Sequence, residues 1–166
     1  MPTVADEILR ANSEYAVNHE LLPIGPRPTR HLIVLTCMDT RISMRILGLK
    51  QGEAHILRNA GGIVTEDVLR SIIVSHHFLG TQEVVIINHT DCGMLLFQDH
   101  ELRERLTDKY GTAAIAPSQF HAFTHLEKNV REQIQKLRSH PWIANEMPIT
   151  GFVYHVETGR LTSVPE

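Results

Sequence analysis

Short runs of apolar residues recur along the chain and alternate with amphipathic segments. Continuous apolar runs of about four to eight residues are typical of strands buried on both faces of a parallel sheet. Such runs predict strands over 31–36, 54–57 and 83–88, and closing strands over 152–156 and 160–164. The turn at Thr158-Gly159 separates the closing pair, which indicates a hairpin at the end of the chain.

The amphipathic segments predict helices between these strands. Apolar positions at helical spacing indicate helices over 65–79, 94–107 and 118–138, and a short helix over 42–47. Thr65 and Ser118 are residue types that cap helix N-termini, and Gly80 is a typical C-terminal stop. Strands that alternate with helices predict an α/β fold with a mainly parallel central sheet flanked by helices.

The N-terminal segment has a different pattern from the rest of the chain. Residues 3–18 have the apolar spacing of an amphipathic helix, and the following stretch, 21–28, is rich in proline. Its predicted apolar face consists of Val4, Ile8, Ala11 and Tyr15. We predict an N-terminal helical arm and Pro-rich linker over 1–28 and a single α/β domain over 29–166. An arm on such a linker is expected to pack on another surface, such as a neighbouring subunit.

Composition restricts the possible classes of function. The 166 residues suit one domain with a sizeable core, and the net charge is −3. The basic residues are scattered, so no nucleic-acid partner is expected. No apolar run approaches the roughly 20 residues that span a bilayer, so no membrane partner is expected either. The N-terminus lacks a charged-then-apolar signal pattern, and we expect a cytoplasmic location.

The only two cysteines each follow a predicted strand. Cys37 comes directly after the strand over 31–36, and the strand over 83–88 is followed by His89 and Cys92. If the two strands are parallel neighbours, these three side chains meet at the carboxyl edge of the sheet, where ligands bind in such folds. Two thiolates and one imidazole form a zinc site with one open position, which is typical of catalytic sites. The sequence therefore predicts one Zn²⁺ per chain.

Other interpretations of the cysteines fit the sequence less well. Cysteine is among the most buried residue types, so two ordinary buried thiols are the general expectation. However, both cysteines lie at strand exits beside charged residues. Cysteine phosphatases and sulfurtransferases resemble a Cys-x5-Arg pattern, whereas Ser43 occupies the sixth position after Cys37 and the arginine comes earlier, at Arg41. A metal site is therefore favoured over a nucleophilic cysteine.

Asp39 and Arg41 follow the first cysteine closely. Two residues apart on an extended turn, they can form either a surface ion pair of little energetic value or a bidentate pair. Beside a metal, such a pair would hold a carboxylate where a metal-bound water could donate its proton. We interpret Asp91, in the second motif, as a turn-forming residue.

Three motifs together resemble the β-class carbonic anhydrases. They are Cys37-Met-Asp-Thr-Arg41, Arg58-Asn-Ala-Gly-Gly62 and His89-Thr-Asp-Cys-Gly93. Their order and spacing are those of the family, and the short chain is similar to its compact branch. The resemblance implies that Cys37, His89 and Cys92 bind zinc and that Asp39 and Arg41 form the catalytic dyad. It also implies reversible hydration of carbon dioxide to bicarbonate and a proton by a zinc-bound hydroxide.

The resemblance leaves alternatives for the substrate and the assembly. Relatives with the same zinc motifs hydrolyse carbon disulfide or carbonyl sulfide, which are small linear molecules open to the same attack. A non-catalytic zinc-binding domain is a further alternative, although a structural zinc site needs neither Asp39 nor Arg41. The family also implies self-association as a dimer or tetramer. Val34 stands where some members carry the tryptophan of a regulatory bicarbonate pocket, so that regulation is expected to be absent.

Overall fold

Five strands of the described chain join into one sheet. The structure is a computed structural model that describes residues 2–165. Its strands are β1 (Leu32–Cys37), β2 (Ala54–Asn59), β3 (Glu83–His89), β4 (Ile149–His155) and β5 (Arg160–Val164). Its α-helices are α1 (Val4–Val17), α2 (Glu66–Leu79), α3 (Asp99–Tyr110) and α4 (Leu126–Arg138). Short 3₁₀ turns cover Met44–Leu47 and Gly93–Leu95.

The strand order in the sheet is β2-β1-β3-β4-β5. The first four strands are parallel, and β5 is antiparallel to β4. The chain leaves β1 to form β2 on one side and returns to form β3 on the other. This reversal between β1 and β3 is a topological switch point, and the carboxyl ends of the two strands open there. The predicted α/β fold with a mainly parallel sheet is confirmed.

Helices α2 and α4 pack on the same face of the sheet. Their apolar side chains join those of β1, β3 and β4 in one core. The buried apolar residues of the two helices are Val68, Ile72, Val130, Ile134 and Leu137. Helix α4 lies so close to β4 that a Cβ at Gly151 would collide with Val130. The opposite face is covered by the 3₁₀ turns and loops, which bury Ile42 and Met94.

The helix predicted over 94–107 is wrong in its position. A 3₁₀ turn ends at Leu95, and α3 runs from Asp99 to Tyr110. The carboxylate of Glu101 accepts the backbone N–H of Gln98 at 2.7 Å, and this capping contact fixes the start of α3 after Gln98. The short helix predicted over 42–47 is a 3₁₀ turn, and β4 begins at Ile149 rather than at 152.

The helix predicted to begin at Ser118 is also wrong, because α4 begins only at Leu126. The carboxylate of Asp99 accepts the backbone N–H groups of Phe120 (2.8 Å), His121 (3.2 Å) and Ala122 (2.8 Å). The guanidinium of Arg103 donates to the carbonyl oxygens of Pro117 (2.7 Å) and Ser118 (2.8 Å). Side chains of α3 thus form hydrogen bonds with backbone N–H and C=O groups of residues 117–122 that a helix would have paired with each other. These contacts hold residues 117–122 in an irregular conformation.

The N-terminal helix is present and leaves its apolar residues exposed. Thr3 caps α1 by accepting the N–H of Asp6, and no residue of the helix is buried. Val4 is 71 % exposed, Ile8 63 % and Tyr15 60 %. Among residues 2–165, no helix is long and apolar enough to cross a membrane.

Candidate metal centre

The ends of β1 and β3 bring Cys37, His89 and Cys92 together. The two strands are parallel neighbours with Thr36 level with Ile87. Cys37 is the last residue of β1 and His89 the last residue of β3. The ligand atoms of the three side chains all lie within 4.8 Å of one another, and all three residues are buried. In the described part of the chain, this Cys/His/Cys cluster is the one group with metal-binding geometry.

The imidazole of His89 is oriented for metal binding. Its Nδ1 lies 2.8 Å from the carbonyl oxygen of Thr90, and a carbonyl can only accept, so Nδ1 carries the proton. In the neutral imidazole the lone pair is then on Nε2, which is fully buried and has no hydrogen-bond partner. An unsatisfied buried nitrogen is costly unless a ligand occupies it. Together with two sulfurs, this nitrogen forms a donor set that fits zinc.

The two thiols share one site and influence each other. The hydrogen bond from the Cys92 thiol lowers the pKa of Cys37, and the backbone N–H of Gly61, 3.4 Å from Sγ, acts in the same direction. The same hydrogen bond to Cys37, together with burial, raises the pKa of Cys92. A bound cation would favour the thiolate form of both cysteines.

Arg41 holds the carboxylate of Asp39 beside the cluster. Its Nε donates to Oδ1 at 3.0 Å and its Nη2 to Oδ2 at 2.8 Å, which is the predicted bidentate geometry. The hydrogen bonds of the Arg41 side chain keep the pKa of Asp39 well below its usual range, so Asp39 is ionised near neutral pH. Its Oδ2 lies 3.8 Å from Nε2 of His89. An ionised acceptor therefore lies beside the cluster.

Asp91 contributes a contact that sequence reasoning missed. Its carboxylate Oδ2 accepts Nη1 of Arg41 at 2.7 Å, and its backbone carbonyl accepts Nη2 at 3.0 Å. Asp91 also has a φ of 52°, in agreement with the predicted turn. Asp91 follows β3 and Arg41 follows β1, and these two strands were expected to be neighbours. That relationship was the signal available in the sequence. Arg41 therefore binds two aspartates, one from each motif.

The Arg58–Gly62 motif supports the backbone of the first motif. Arg58 donates through Nε to the carbonyl of Cys37 (3.0 Å) and through Nη2 to that of Asp39 (2.6 Å). Gly62 has a φ of 62°, and a Cβ there would lie 3.1 Å from Nδ2 of Asn88. We call the loop over 59–62 the glycine loop, and it can approach β1 and β3 this closely only because Gly62 has no side chain.

A sheet of this topology with two thiols and an imidazole at the carboxyl ends of adjacent strands defines a class of α/β metalloenzymes. The sequence profile of the carbonic anhydrase family matches residues 32–161. The chain is 37 % identical over 164 residues to β-carbonic anhydrase 1 of Mycobacterium tuberculosis, covering 98 % of both chains. The chain belongs to the β-carbonic anhydrase family.

Two further relatives describe the range of similar proteins. The structure matches the crystal structure of a carbonic anhydrase from Streptococcus mutans with a TM-score of 0.92 and 39 % identity, over 99 % of each chain. The chain is also 36 % identical over 183 residues to a carbon disulfide hydrolase of an Acidianus species, covering 94 % of this chain and 86 % of that protein. The predicted family is confirmed, and full-length similarity to carbonic anhydrases supports the predicted class of enzyme.

Proposed function

We propose that the chain binds one Zn²⁺ through Cys37, His89 and Cys92 and catalyses the reversible hydration of carbon dioxide. The observation that carries this proposal is the free Nε2 of His89, buried beside two thiols and an ionised carboxylate. A purely structural zinc site would use all four positions on the ion. Here three protein ligands and an adjacent acceptor favour a catalytic site.

Asp39 and Arg41 are proposed to orient the attacking water. A zinc ion bound here would supply a Lewis acid that lowers the pKa of water toward neutrality. In the zinc-loaded protein, the carboxylate of Asp39 would accept a hydrogen bond from that water and so direct an oxygen lone pair toward the carbon of carbon dioxide. The overall reaction would convert carbon dioxide and water to bicarbonate and a proton, and the proton would pass to solvent. Arg41 keeps Asp39 ionised, so that the carboxylate accepts rather than donates.

Hydrolysis of carbon disulfide is the second candidate function. The Acidianus relative with that activity is nearly as similar to this chain as the mycobacterial carbonic anhydrase is. Carbonyl sulfide is a further linear substrate open to the same attack. A non-catalytic zinc domain is disfavoured, because it would not need the charge-assisted contacts of Arg41 to two aspartates.

Metal analysis and a substrate comparison test the proposal. The purified chain should contain one zinc, and Cys92→Ala should lose nearly all of it, whereas His140→Ala, at a histidine outside the cluster, should retain it. The zinc-loaded chain should then hydrate carbon dioxide faster than it hydrolyses carbon disulfide. Full zinc retention in Cys92→Ala would sink the ligand assignment, and faster turnover of carbon disulfide would favour the second candidate.

We also propose that residues 1–28 form an arm that packs on a second copy of the chain, while residues 29–166 form the zinc-binding catalytic domain. Helix α1 has 14 residues and no buried side chain. An isolated helix of this length is marginal in water, so a packing partner for its apolar residues is expected. A dimer or tetramer would supply one. A cytoplasmic location suits both free cysteines, because a reducing compartment keeps thiols available for a metal.

A further inference from the structure

Three buried amide side chains connect helix α4 with the glycine loop beside Cys37. Asn88 on β3 is 1 % exposed, and Asn129 and Gln133 on α4 are 4 % and 2 % exposed. Nδ2 of Asn88 donates to the carbonyl of Gly61 at 2.9 Å. Nδ2 of Asn129 donates to Oδ1 of Asn88 at 2.6 Å, and Nε2 of Gln133 donates to Oδ1 of Asn129 at 2.9 Å.

Backbone groups fix the direction of donation at both ends of this amide chain. The carbonyl of Gly61 can only accept, so Asn88 must turn its NH₂ group toward it. The backbone N–H of Val64 can only donate, so Gln133 must turn its oxygen toward it, at 2.9 Å. Asn129 then has one orientation that satisfies both neighbours. The three hydrogen bonds of the amide chain therefore donate in one direction, from Gln133 toward the carbonyl of Gly61.

Lys136 lies at the outer end of this path and Cys37 at the inner end. Nζ of Lys136 donates to Oε1 of Gln133 at 3.4 Å, which places a cation at the outer end. At the inner end, the N–H of Gly61 donates to Sγ of Cys37 at 3.4 Å. The carbonyl and the N–H of Gly61 belong to adjacent peptide groups, so a contact that holds the carbonyl also limits the direction of the N–H.

Packing alone does not account for three amides at these positions. Burying polar groups costs free energy unless every donor and acceptor is paired, and an apolar contact between α4 and the sheet would avoid that cost. The amides are instead paired with one another and with backbone groups that belong to the glycine loop or follow it, Gly61 and Val64. These bonds connect the glycine loop, which carries the N–H of Gly61, with helix α4.

We propose that Asn129 and Gln133 are positioning residues for the metal centre. They act through Asn88 on the carbonyl of Gly61, and thereby aim the N–H of Gly61 at the sulfur of Cys37. Their contribution is to metal affinity, and neither residue belongs to the three sequence motifs. The inference rests on the proposed zinc site, and it extends that site to the middle of helix α4.

The decisive variant is Gln133→Glu. The carboxylate keeps an oxygen for the N–H of Val64 and lies near the cation of Lys136, but it has no donor for Asn129. Asn129→Asp breaks the next link in the same way and keeps the size of the side chain. Two properties are measured: the zinc dissociation constant by chelator competition, and the sulfur-to-metal charge-transfer absorption of the Co²⁺-substituted protein. We expect zinc affinity about tenfold weaker and a shifted absorption band in each variant.

Two controls separate positioning from general destabilisation. Gln135→Glu makes the same chemical change at an exposed position on the same helix. Ile134→Val loosens the packing of α4 without touching the amide chain. Both should keep the affinity and the cobalt spectrum of the unaltered chain. Should the two acidic variants fail to fold, Asn129→Ser, which is smaller, uncharged and lacks the donor, is measured in their place.

The outcomes distinguish this inference from the proposed function. If the unaltered chain binds no zinc, the proposed function fails. If the unaltered chain binds zinc and the amide variants match Gln135→Glu in affinity and spectrum, the inference is overturned. Equal weakening in Ile134→Val would overturn it as well, because general loosening of α4 would then explain the effect.

Discussion

The guanidinium of Arg41 lies 2.7 Å from the carboxylate of Asp91, a residue 50 positions further along the chain. The same guanidinium binds both carboxylate oxygens of Asp39. One cation therefore connects the loops that follow β1 and β3, beside the Cys/His/Cys cluster. This link limits the freedom of Arg41 to rotate away from Asp39.

Loss of the Asp91 carboxylate should affect activity modestly and stability very little. In Asp91→Asn the charged contact to Arg41 is lost, but the backbone carbonyl of residue 91 still accepts Nη2. The carboxylate is 69 % exposed, and such ion pairs contribute about 0–1 kcal/mol. We expect carbon dioxide hydration to fall a few-fold and the free energy of unfolding to change by less than about 1 kcal/mol.

Asp67→Asn is the matched control for Asp91→Asn, because it removes another exposed Asp–Arg pair, with Arg70, on α2. It should leave activity unchanged. A loss of activity in Asp91→Asn as large as that in Asp39→Asn would contradict the expected supporting role of Asp91.

Asp39→Asn should separate catalysis from metal binding. The substituted amide keeps one acceptor, and its NH₂ group opposes a donor of Arg41 instead of pairing with it. We expect unchanged zinc content and a loss in kcat/KM of about a hundredfold or more. Arg41→Lys should give an intermediate loss of kcat/KM, because an ammonium group cannot form the bidentate contact with both carboxylate oxygens of Asp39. Loss of zinc in Asp39→Asn would instead indicate that Asp39 contributes to metal binding.

The pH profile of activity should rise between pH 6 and pH 9. Arg41 holds the pKa of Asp39 well below its usual range, so Asp39 is ionised throughout this interval and does not titrate in it. The rise then reports the water activated at the metal. Initial rates of carbon dioxide hydration at fixed ionic strength provide the measurement. A flat profile would count against this mechanism.

Asp99 should stabilise the segment before α4 in a pH-dependent way. Burial opposes its ionisation, but the N–H groups of Ala122, Phe120 and His121 outweigh burial and lower its pKa. A lowered folded pKa means that the stabilisation is complete above the unfolded value of about 3.9 and disappears as the pH falls through the folded pKa. Asp99→Asn should therefore cost about 1–2 kcal/mol at pH 7 and almost nothing at acid pH.

Hydrogen exchange of the Phe120 and Ala122 amides, measured at pH 7 and at a series of lower pH values, follows the effect of Asp99→Asn. The same change at Asp108, an exposed residue of α3, should leave their exchange unaltered. A difference that does not shrink as the pH falls would mean that the charge on Asp99 is not its cause.

Removal of the N-terminal arm should weaken self-association. Sedimentation of the full chain is expected to show at least a dimer, and a chain that begins at Thr29 should dissociate more readily and be less active. The apolar face of α1 offers only a few side chains at about 1.5–3 kcal/mol each before entropy costs, so the arm tunes the assembly. Ile8→Ser should act like a partial truncation, and Asn12→Ser should not. If the full and shortened chains both sediment as monomers, the arm is not an interface element.

The strands and the ligands could be predicted from the sequence because both depend on local pattern. Continuous apolar runs have few alternatives to buried strands, and the cysteines directly follow two of them. A parallel sheet places the carboxyl ends of its strands at one edge, so Cys37 and His89 had to lie near each other once β1 and β3 became neighbours. The bidentate contact of Asp39 and Arg41 was predictable for the same reason, since only one residue separates them.

Other features were decided by contacts between distant residues. Helix α4 begins at Leu126 because Asp99, more than 20 positions away, takes the N–H groups of Phe120 and Ala122. The amides of Asn129 and Gln133 look like ordinary polar residues of an amphipathic helix until the fold places them against Asn88. A pattern along the chain records what each residue prefers locally. It does not record which distant donor or acceptor the folded chain will bring to that residue, and hydrogen bonds of this kind exist only after the sheet and helices have packed.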